Sequence, residues 1–153
     1  MDIAFAEAAA AAVRGEVPVG AVIIDPATGR VLAAAGNRTE ELCDPTAHAE
    51  VLAIRQAAAL LGSPRLPGLD LYVTLEPCAL CAASISFARL RRLYFGAYDP
   101  KGGAVDHGPR FFQQPTCHHA PDHYGGLGEG RAAALLRDFF KDRRQAGPRT
   151  EVT

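Results

Sequence analysis

The sequence predicts an α/β protein built on a mixed β-sheet, and three observations carry that expectation. Two apolar, β-prone runs, residues 19 to 24 and 31 to 35, flank the turn Asp25-Pro26-Ala27-Thr28-Gly29 and read as a hairpin. Two further extended runs, near residues 71 to 75 and 93 to 97, each follow a helical pattern, which makes two strand–helix–strand crossovers. The order α-β-β-α-β-α-β therefore implies a sheet of mixed direction with helices on its faces.

Each element has its own local signals. Residues 3 to 14 read as a helix, with Ile3, Ala6, Ala10 and Val13 on one face, Asp2 as cap and Gly15 as stop. Gly36-Asn37 marks the exit of the hairpin. Pro45 precedes the second helix, where Ala47, Val51, Ile54, Ala58 and Leu61 recur at helical spacing and Gly62-Ser63-Pro64 ends the run. The loop through Pro67-Gly68 leads to the third strand, in which Leu71, Tyr72 and Val73 have strong β character. Pro77 suits the first positions of a third helix, where its missing N–H leaves no bond unmade, and this helix runs to about Phe87. Beyond Asp99 the pattern weakens, apart from a short helix near residues 109 to 113. Residues 131 to 144 form the final helix. Alanine richness reflects helix propensity, since no repeat or low-complexity tract is visible.

At 153 residues the chain is expected to be one domain, residues 1–153, with enough length for a hydrophobic core. Apolar residues at 48% and charged residues at 22% fit a soluble globular protein. No run approaches the roughly 18 apolar residues of a membrane span. Asp2 and Glu7 stand where a signal peptide needs basic residues. The four cysteines could make two disulfides, but Cys78 and Cys81 have metal-ligand spacing and a core of this size needs no staples. A reducing cytoplasm is the expected location. The formal net charge of -1 argues against a general affinity for nucleic acid, so any RNA contact must be a local basic patch. Arg89, Arg91 and Arg92 form one candidate; Arg137, Lys141, Arg143, Arg144 and Arg149 form another. Either also reads as an ordinary solvated helix end or face.

The chemistry concentrates in two short segments, Thr46-Ala47-His48-Ala49-Glu50 and Glu76-Pro77-Cys78-Ala79-Leu80-Cys81. One imidazole and two thiolates can hold a zinc ion and leave its fourth position free, and Glu50 lies two residues from the imidazole, where a carboxylate can move protons from activated water. Cys78 and Cys81 share a helical face, and a helix N-terminus favours thiolate over thiol. Both helices follow strands, so their N-termini can converge above the carboxyl edge of the sheet. Two other readings stay open. The Cys-x-x-Cys pair can be a redox dithiol, which leaves His48 and Glu50 without purpose. A structural zinc site needs a fourth protein ligand, for which Cys43, Cys117, His118, His119 and His123 are candidates. Cys43 also reads as a small buried residue, and the group from Cys117 to His123 is dense enough to bind a metal of its own.

These segments match the H-x-E…P-C-x-x-C pattern of zinc-dependent nucleobase deaminases. With Glu16-Val17-Pro18-Val19-Gly20-Ala21-Val22, Asp44-Pro45-Thr46, Leu71-Tyr72-Val73-Thr74-Leu75 and Asp138-Phe139-Phe140, most of residues 2 to 144 resembles the bacterial tRNA-specific adenosine deaminases, in the cytidine and deoxycytidylate deaminase-like superfamily. The resemblance implies the three-layer α/β/α cytidine-deaminase-like fold with a five-stranded mixed sheet. It also implies a homodimer with one Zn2+ per subunit, acting on the wobble adenosine of a tRNA anticodon stem-loop. By the same resemblance His48, Cys78 and Cys81 are the zinc ligands and Glu50 the proton shuttle. Asn37, Asp99 and Phe140 then stand at the family's substrate-contacting positions. On their own, Asn37 reads as a strand-end turn residue, and Phe139 and Phe140 as core anchors. The family's fifth strand falls near residues 120 to 127, where Pro121-Asp122-His123-Tyr124-Gly125-Gly126 has poor β propensity and predicts a short or irregular edge. The same zinc centre would also serve a deaminase of free guanine, cytosine or a related base, or a zinc-stabilised RNA-binding module.

Overall fold

The computed structural model describes residues 1–147. Arg149, from the second basic cluster, lies outside the described residues. Helix α1 (Asp2–Val13) is followed by the hairpin β1 (Gly20–Asp25) and β2 (Arg30–Gly36), then α2 (Ala49–Leu61), β3 (Asp70–Leu75), α3 (Ala79–Phe87) and β4 (Arg92–Ala97). A single 3-10 turn (Phe111–Gln113), a short β5 (Asp122–Tyr124) and α4 (Glu129–Gln145) complete it.

The sheet order is β2-β1-β3-β4-β5. β1 runs antiparallel to both β2 and β3, whereas β3, β4 and β5 are parallel, so the sheet is mixed and five-stranded. This geometry brings the carboxyl ends of β2, β3 and β4 to one edge. One face packs against α2, with α3 beside it: Ala21, Ile23, Leu71, Val73, Leu93 and Phe95 are buried with Ala49, Ala53, Ala57 and Ile85 in one cluster. The other face carries α1 and α4.

Two helix faces differ from those expected. In α1 the buried residues are Ala4, Phe5, Ala8 and Ala11, while Ile3 and Val13 are exposed. The reason lies in the strands beneath. A Cβ on Gly20 would collide with the Ala4 carbonyl oxygen, and one on Gly36 would come within 2.7 Å of the Glu7 carbonyl oxygen. The helix backbone rests directly on two glycines, so only small residues fit along that side. In α2 the inward residues are Ala49, Ala53 and Ala57, again small side chains that allow close approach, together with Glu50. Ala47 is buried but lies in the turn before the helix. Met1 rather than Asp2 occupies the N-cap of α1, and Asp2 sits in the first turn.

β5 is short, three residues, as its composition predicts. Tyr124 pairs with Tyr94, which pairs with Tyr72, and the three rings stack at centroid distances of 5.3 and 4.5 Å. A Cβ on Gly125 would lie 2.5 Å from the Phe95 ring, so the strand ends where the chain must pass over that phenyl group.

Candidate active site

The site forms where the two sequence segments meet at the carboxyl edge of the sheet. Asp44 makes the first turn: its Oδ1 accepts from Thr46 N at 2.8 Å and Thr46 Oγ1 at 2.7 Å, and those bonds hold its carboxyl below the usual range. The turn delivers His48 to the N-cap of α2 and Glu50 to its first helical turn. On the other side, Glu76 N donates to Ala97 O at 2.8 Å, and Pro77 then sets Cys78 as the N-cap of α3, with Cys81 in the first turn. Pro77 therefore precedes the helix rather than opening it.

His48 Nδ1 lies 3.5 Å from both Cys78 Sγ and Cys81 Sγ. A tetrahedral zinc with bonds of about 2.05 Å to nitrogen and 2.3 Å to sulfur requires an N···S separation of about 3.6 Å, so the donor set fits zinc in size and chemistry. Among the described residues no fourth His, Cys, Asp or Glu joins this cluster. A hydrogen bond from Cys81 lowers the Cys78 thiol to about 4, helped by His48 and opposed by burial. Cys81 is pushed up by the same hydrogen bond and by burial. His48 is raised by its bond to Cys78. Glu50 is 4% exposed, and burial raises its carboxyl above the ordinary range.

A cavity of about 260 Å³ opens beside the cluster, lined by His48, Cys78 and Glu50 and by Asn37, Thr39, Glu76 and Asp99. Asn37 is buried at the exit of β2 rather than being a solvated turn residue. Asp99 Oδ1 accepts from Lys101 N and Gly102 N at 3.1 and 3.0 Å, which folds the loop after β4. Phe140 does not line this cavity. It lines an adjoining one of about 300 Å³ with Leu136 and Tyr98, and the two cavities share Val17, Leu75 and Asp99. Neither Phe139 nor Phe140 is a buried core residue.

Other metal-capable residues are placed elsewhere. Cys43 is exposed, contrary to the reading of it as a small buried residue, and adopts a positive φ of 50°. Cys117 Sγ approaches His119 O at 3.2 Å and Ser86 Oγ at 3.5 Å, His119 Nε2 pairs with Leu90 O at 2.7 Å, and His123 Nε2 meets Asp106 Oδ1 at 3.2 Å. That segment is spent on packing the loop, and no metal-capable trio forms in it among the described residues. Of the first basic cluster, Arg91 is structural. It makes a two-pronged ion pair with Asp70 at 2.8 and 2.6 Å, at the strand edge opposite the site.

Glu76 carries no assignment from sequence alone. It is 2% exposed, and its Oε2 accepts from the backbone N–H groups of Val105, Asp106 and His107. Oε1 accepts from Asp99 N at 3.1 Å and from His107 Nδ1 at 2.8 Å. Burial works to raise its carboxyl, but the His107 and backbone hydrogen bonds outweigh it and hold the group below the usual range. It is thus a carboxylate, and the His107 ring must donate to it. An acidic residue ending an apolar strand directly before Pro77-Cys78 is the signal that could have found it.

Residues 1–97 match the family model described as the cytidine and deoxycytidylate deaminase zinc-binding region. A tRNA-specific adenosine deaminase from Agrobacterium fabrum is 62% identical over 144 residues, 94% of this chain and 93% of that protein. The chain belongs to the tRNA-specific adenosine deaminase family. A solved structure from work on A-to-I editing by tRNA:A34 deaminases at the wobble position of transfer RNA is 63% identical, with a TM-score of 0.86 over 89% of this chain and 97% of that one. The guanine deaminase from Nitrosomonas europaea, at 22% identity and a TM-score of 0.78 over 90% of this chain and 81% of that one, shares the fold. The protein is accordingly a zinc-dependent deaminase of the cytidine-deaminase-like α/β/α fold. Among the described residues no helix is long and apolar enough to cross a membrane.

Proposed function

We propose that the protein deaminates the wobble adenosine of a tRNA anticodon to inosine, with water as the other reactant and ammonia as the second product. The observation that carries this reading is the zinc-sized triangle of His48 Nδ1, Cys78 Sγ and Cys81 Sγ, with buried Glu50 facing the same cavity. These three residues would hold one zinc ion per chain, and zinc supplies the Lewis acidity that makes water a nucleophile near neutral pH. Glu50 takes a proton from the water as its oxygen attacks C6, and passes it to the purine ring nitrogen N1. The same carboxyl then helps protonate the exocyclic amine, which leaves as ammonia. Asn37 and Asp99, which line the cavity, contact the nucleoside and its flanking backbone.

An anticodon loop suits such a cavity because its bases are already unpaired, so turning one outward is inexpensive. Along α4, Arg137, Phe140, Lys141 and Arg144 fall at i, i+3, i+4 and i+7, which puts an aromatic ring and three cations on one exposed face beside the site. This stripe supports RNA binding despite the net charge of -1. Arg143 is committed elsewhere: its Nη2 donates to Gly15 O at 2.6 Å and its guanidinium lies over the Phe139 ring. We further infer a homodimer, supported by exposed Leu80 and Phe87, one heptad apart on the outer side of α3 next to the zinc ligands. The four free cysteines suit a reducing cytoplasm, with residues 1–153 acting as a single deaminase domain.

The test is a matched substrate panel: an arginine tRNA anticodon stem-loop with adenosine at the wobble position, free adenosine, guanine and cytosine. Ammonia release with the stem-loop alone is the expected result. Release from guanine or cytosine, with none from the stem-loop, would replace this reading by a free-base deaminase.

A further inference from the structure

Glu16 is a buried carboxylate behind the cavity-lining residues Asn37 and Thr39, 1% exposed, with no cationic partner within ion-pair distance among the described residues. Every group that meets it donates. Asn37 Nδ2 lies 3.2 Å from Oε2, Thr39 Oγ1 3.4 Å and Glu40 N 3.3 Å, while Glu41 N lies 2.8 Å from Oε1. Asn37 Nδ2 also donates to Thr39 Oγ1 at 3.3 Å. A carboxylate only accepts, so the amide of Asn37 must present its NH2 to Glu16. Both amide hydrogens are then used, one on Glu16 and one on Thr39. Oδ1 is left as the side-chain atom of Asn37 without a hydrogen-bond partner among the described residues.

The backbone around this amide is held as well. Asn37 N donates to Val19 O at 3.1 Å, and Asn37 O accepts from Arg14 Nη2 at 3.3 Å. Glu16 is itself anchored, since its N–H donates to Ala11 O at 2.9 Å and its neighbour Gly15 receives the Arg143 guanidinium. The end of α4 thus braces the backbone beside Glu16, while the Glu16 carboxylate ties the end of α1 to the loop after β2 and bonds the candidate substrate residue.

We propose that Glu16 is a positioning residue for the deamination: it fixes the rotamer and amide orientation of Asn37 and pins the cavity wall at Thr39. The role rests on the function proposed above, with Asn37 touching substrate. Glutamine at position 16 keeps the shape but turns one acceptor into a donor. The amide of Asn37 and the N–H of residue 40 then lose their shared acceptor, or the N–H of residue 41 loses its own.

A double-mutant cycle on the zinc-loaded protein with the anticodon stem-loop tests this. Glu16→Gln is expected to lower kcat/KM at least about tenfold while zinc content and far-UV circular dichroism stay at parental values. In an Asn37→Ala background the same change is expected to cost less than about twofold, because its target is already gone. A parental kcat/KM for Glu16→Gln alongside a crippled Asn37→Ala would overturn the role of Glu16 and leave the deaminase reading intact. An equal loss in both backgrounds would also overturn it, since Glu16 would then act independently of Asn37. Parental activity of Asn37→Ala itself would remove the substrate contact, and the Glu16 role with it. If Glu16→Gln does not fold, Thr39→Val, which deletes the hydroxyl between Asn37 and Glu16, enters the same cycle and is judged by the same outcomes.

Discussion

Glu76 holds the loop from Asp99 to His107 against the site, and its replacement gives a stability prediction that can be worked from the hydrogen bonds. The carboxylate receives four backbone N–H groups and one ring N–H. In Glu76→Gln the amide oxygen can serve the Oε2 set of Val105, Asp106 and His107. The new NH2 then faces Asp99 N–H and His107 Nδ1 in place of an acceptor. Losing two hydrogen bonds to a charged group, at about 1.5–3 kcal/mol each and partly offset if the His107 ring changes tautomer and accepts, destabilises the fold by about 3 kcal/mol. For a chain of this size that corresponds to a fall in Tm of about 6–12 °C. Thermal unfolding of the zinc-loaded parent and variant, followed by circular dichroism, is the assay. Because Asp99 and Gly102 line the cavity, KM for the stem-loop should rise together with the loss of stability. A fall in Tm below about 2 °C would refute the reasoning, since the loop would then be held without this carboxylate.

Four further outcomes follow from the site and the packing. Glu50→Ala should keep zinc and fold but reduce turnover roughly 10²–10⁴-fold, the usual general acid–base contribution, checked by single-turnover kinetics beside metal analysis. Cys81→Ala should release zinc and activity together, and full metal occupancy in that variant would remove Cys81 from the ligand set. Gly20→Ala should destabilise the fold by about 2–4 kcal/mol in urea unfolding, because its methyl group would overlap the Ala4 carbonyl and the helix cannot recede without opening the core. Replacing Arg137, Lys141 and Arg144 together by glutamine should weaken stem-loop binding and flatten its salt dependence by up to about three phosphate contacts, without changing Tm by more than a few degrees.

Much of the architecture was legible in the sequence because strand, turn and crossover signals are local. The hairpin around residues 25 to 29, the glycine end of α2 and the convergence of His48, Cys78 and Cys81 all follow from such signals. The inward faces of α1 and α2 did not, and the reason is physical. In an alanine-rich helix the few large residues look like the buried stripe. Here close contact with Gly20 and Gly36 reverses that choice and turns the alanines inward, leaving Ile3 and Val13 outside. Glu16 and Glu76 were illegible as structural anchors for a different reason. Their partners include backbone N–H groups of distant loops, which leave no mark in residue spacing. The basic clusters show the same limit: charge alone does not separate Arg91, locked to Asp70, and Arg143, locked to Gly15, from the exposed cations of α4.

Hydrolytic deamination at the wobble position has one direct measurement. The zinc-loaded protein is incubated with the anticodon stem-loop in water enriched in heavy oxygen, and the product nucleosides are analysed by mass spectrometry. The proposed reaction predicts inosine at the wobble position alone, carrying a single heavy oxygen at C6, and its loss in Glu50→Ala. An unchanged wobble adenosine, or inosine formed without the label, would contradict it.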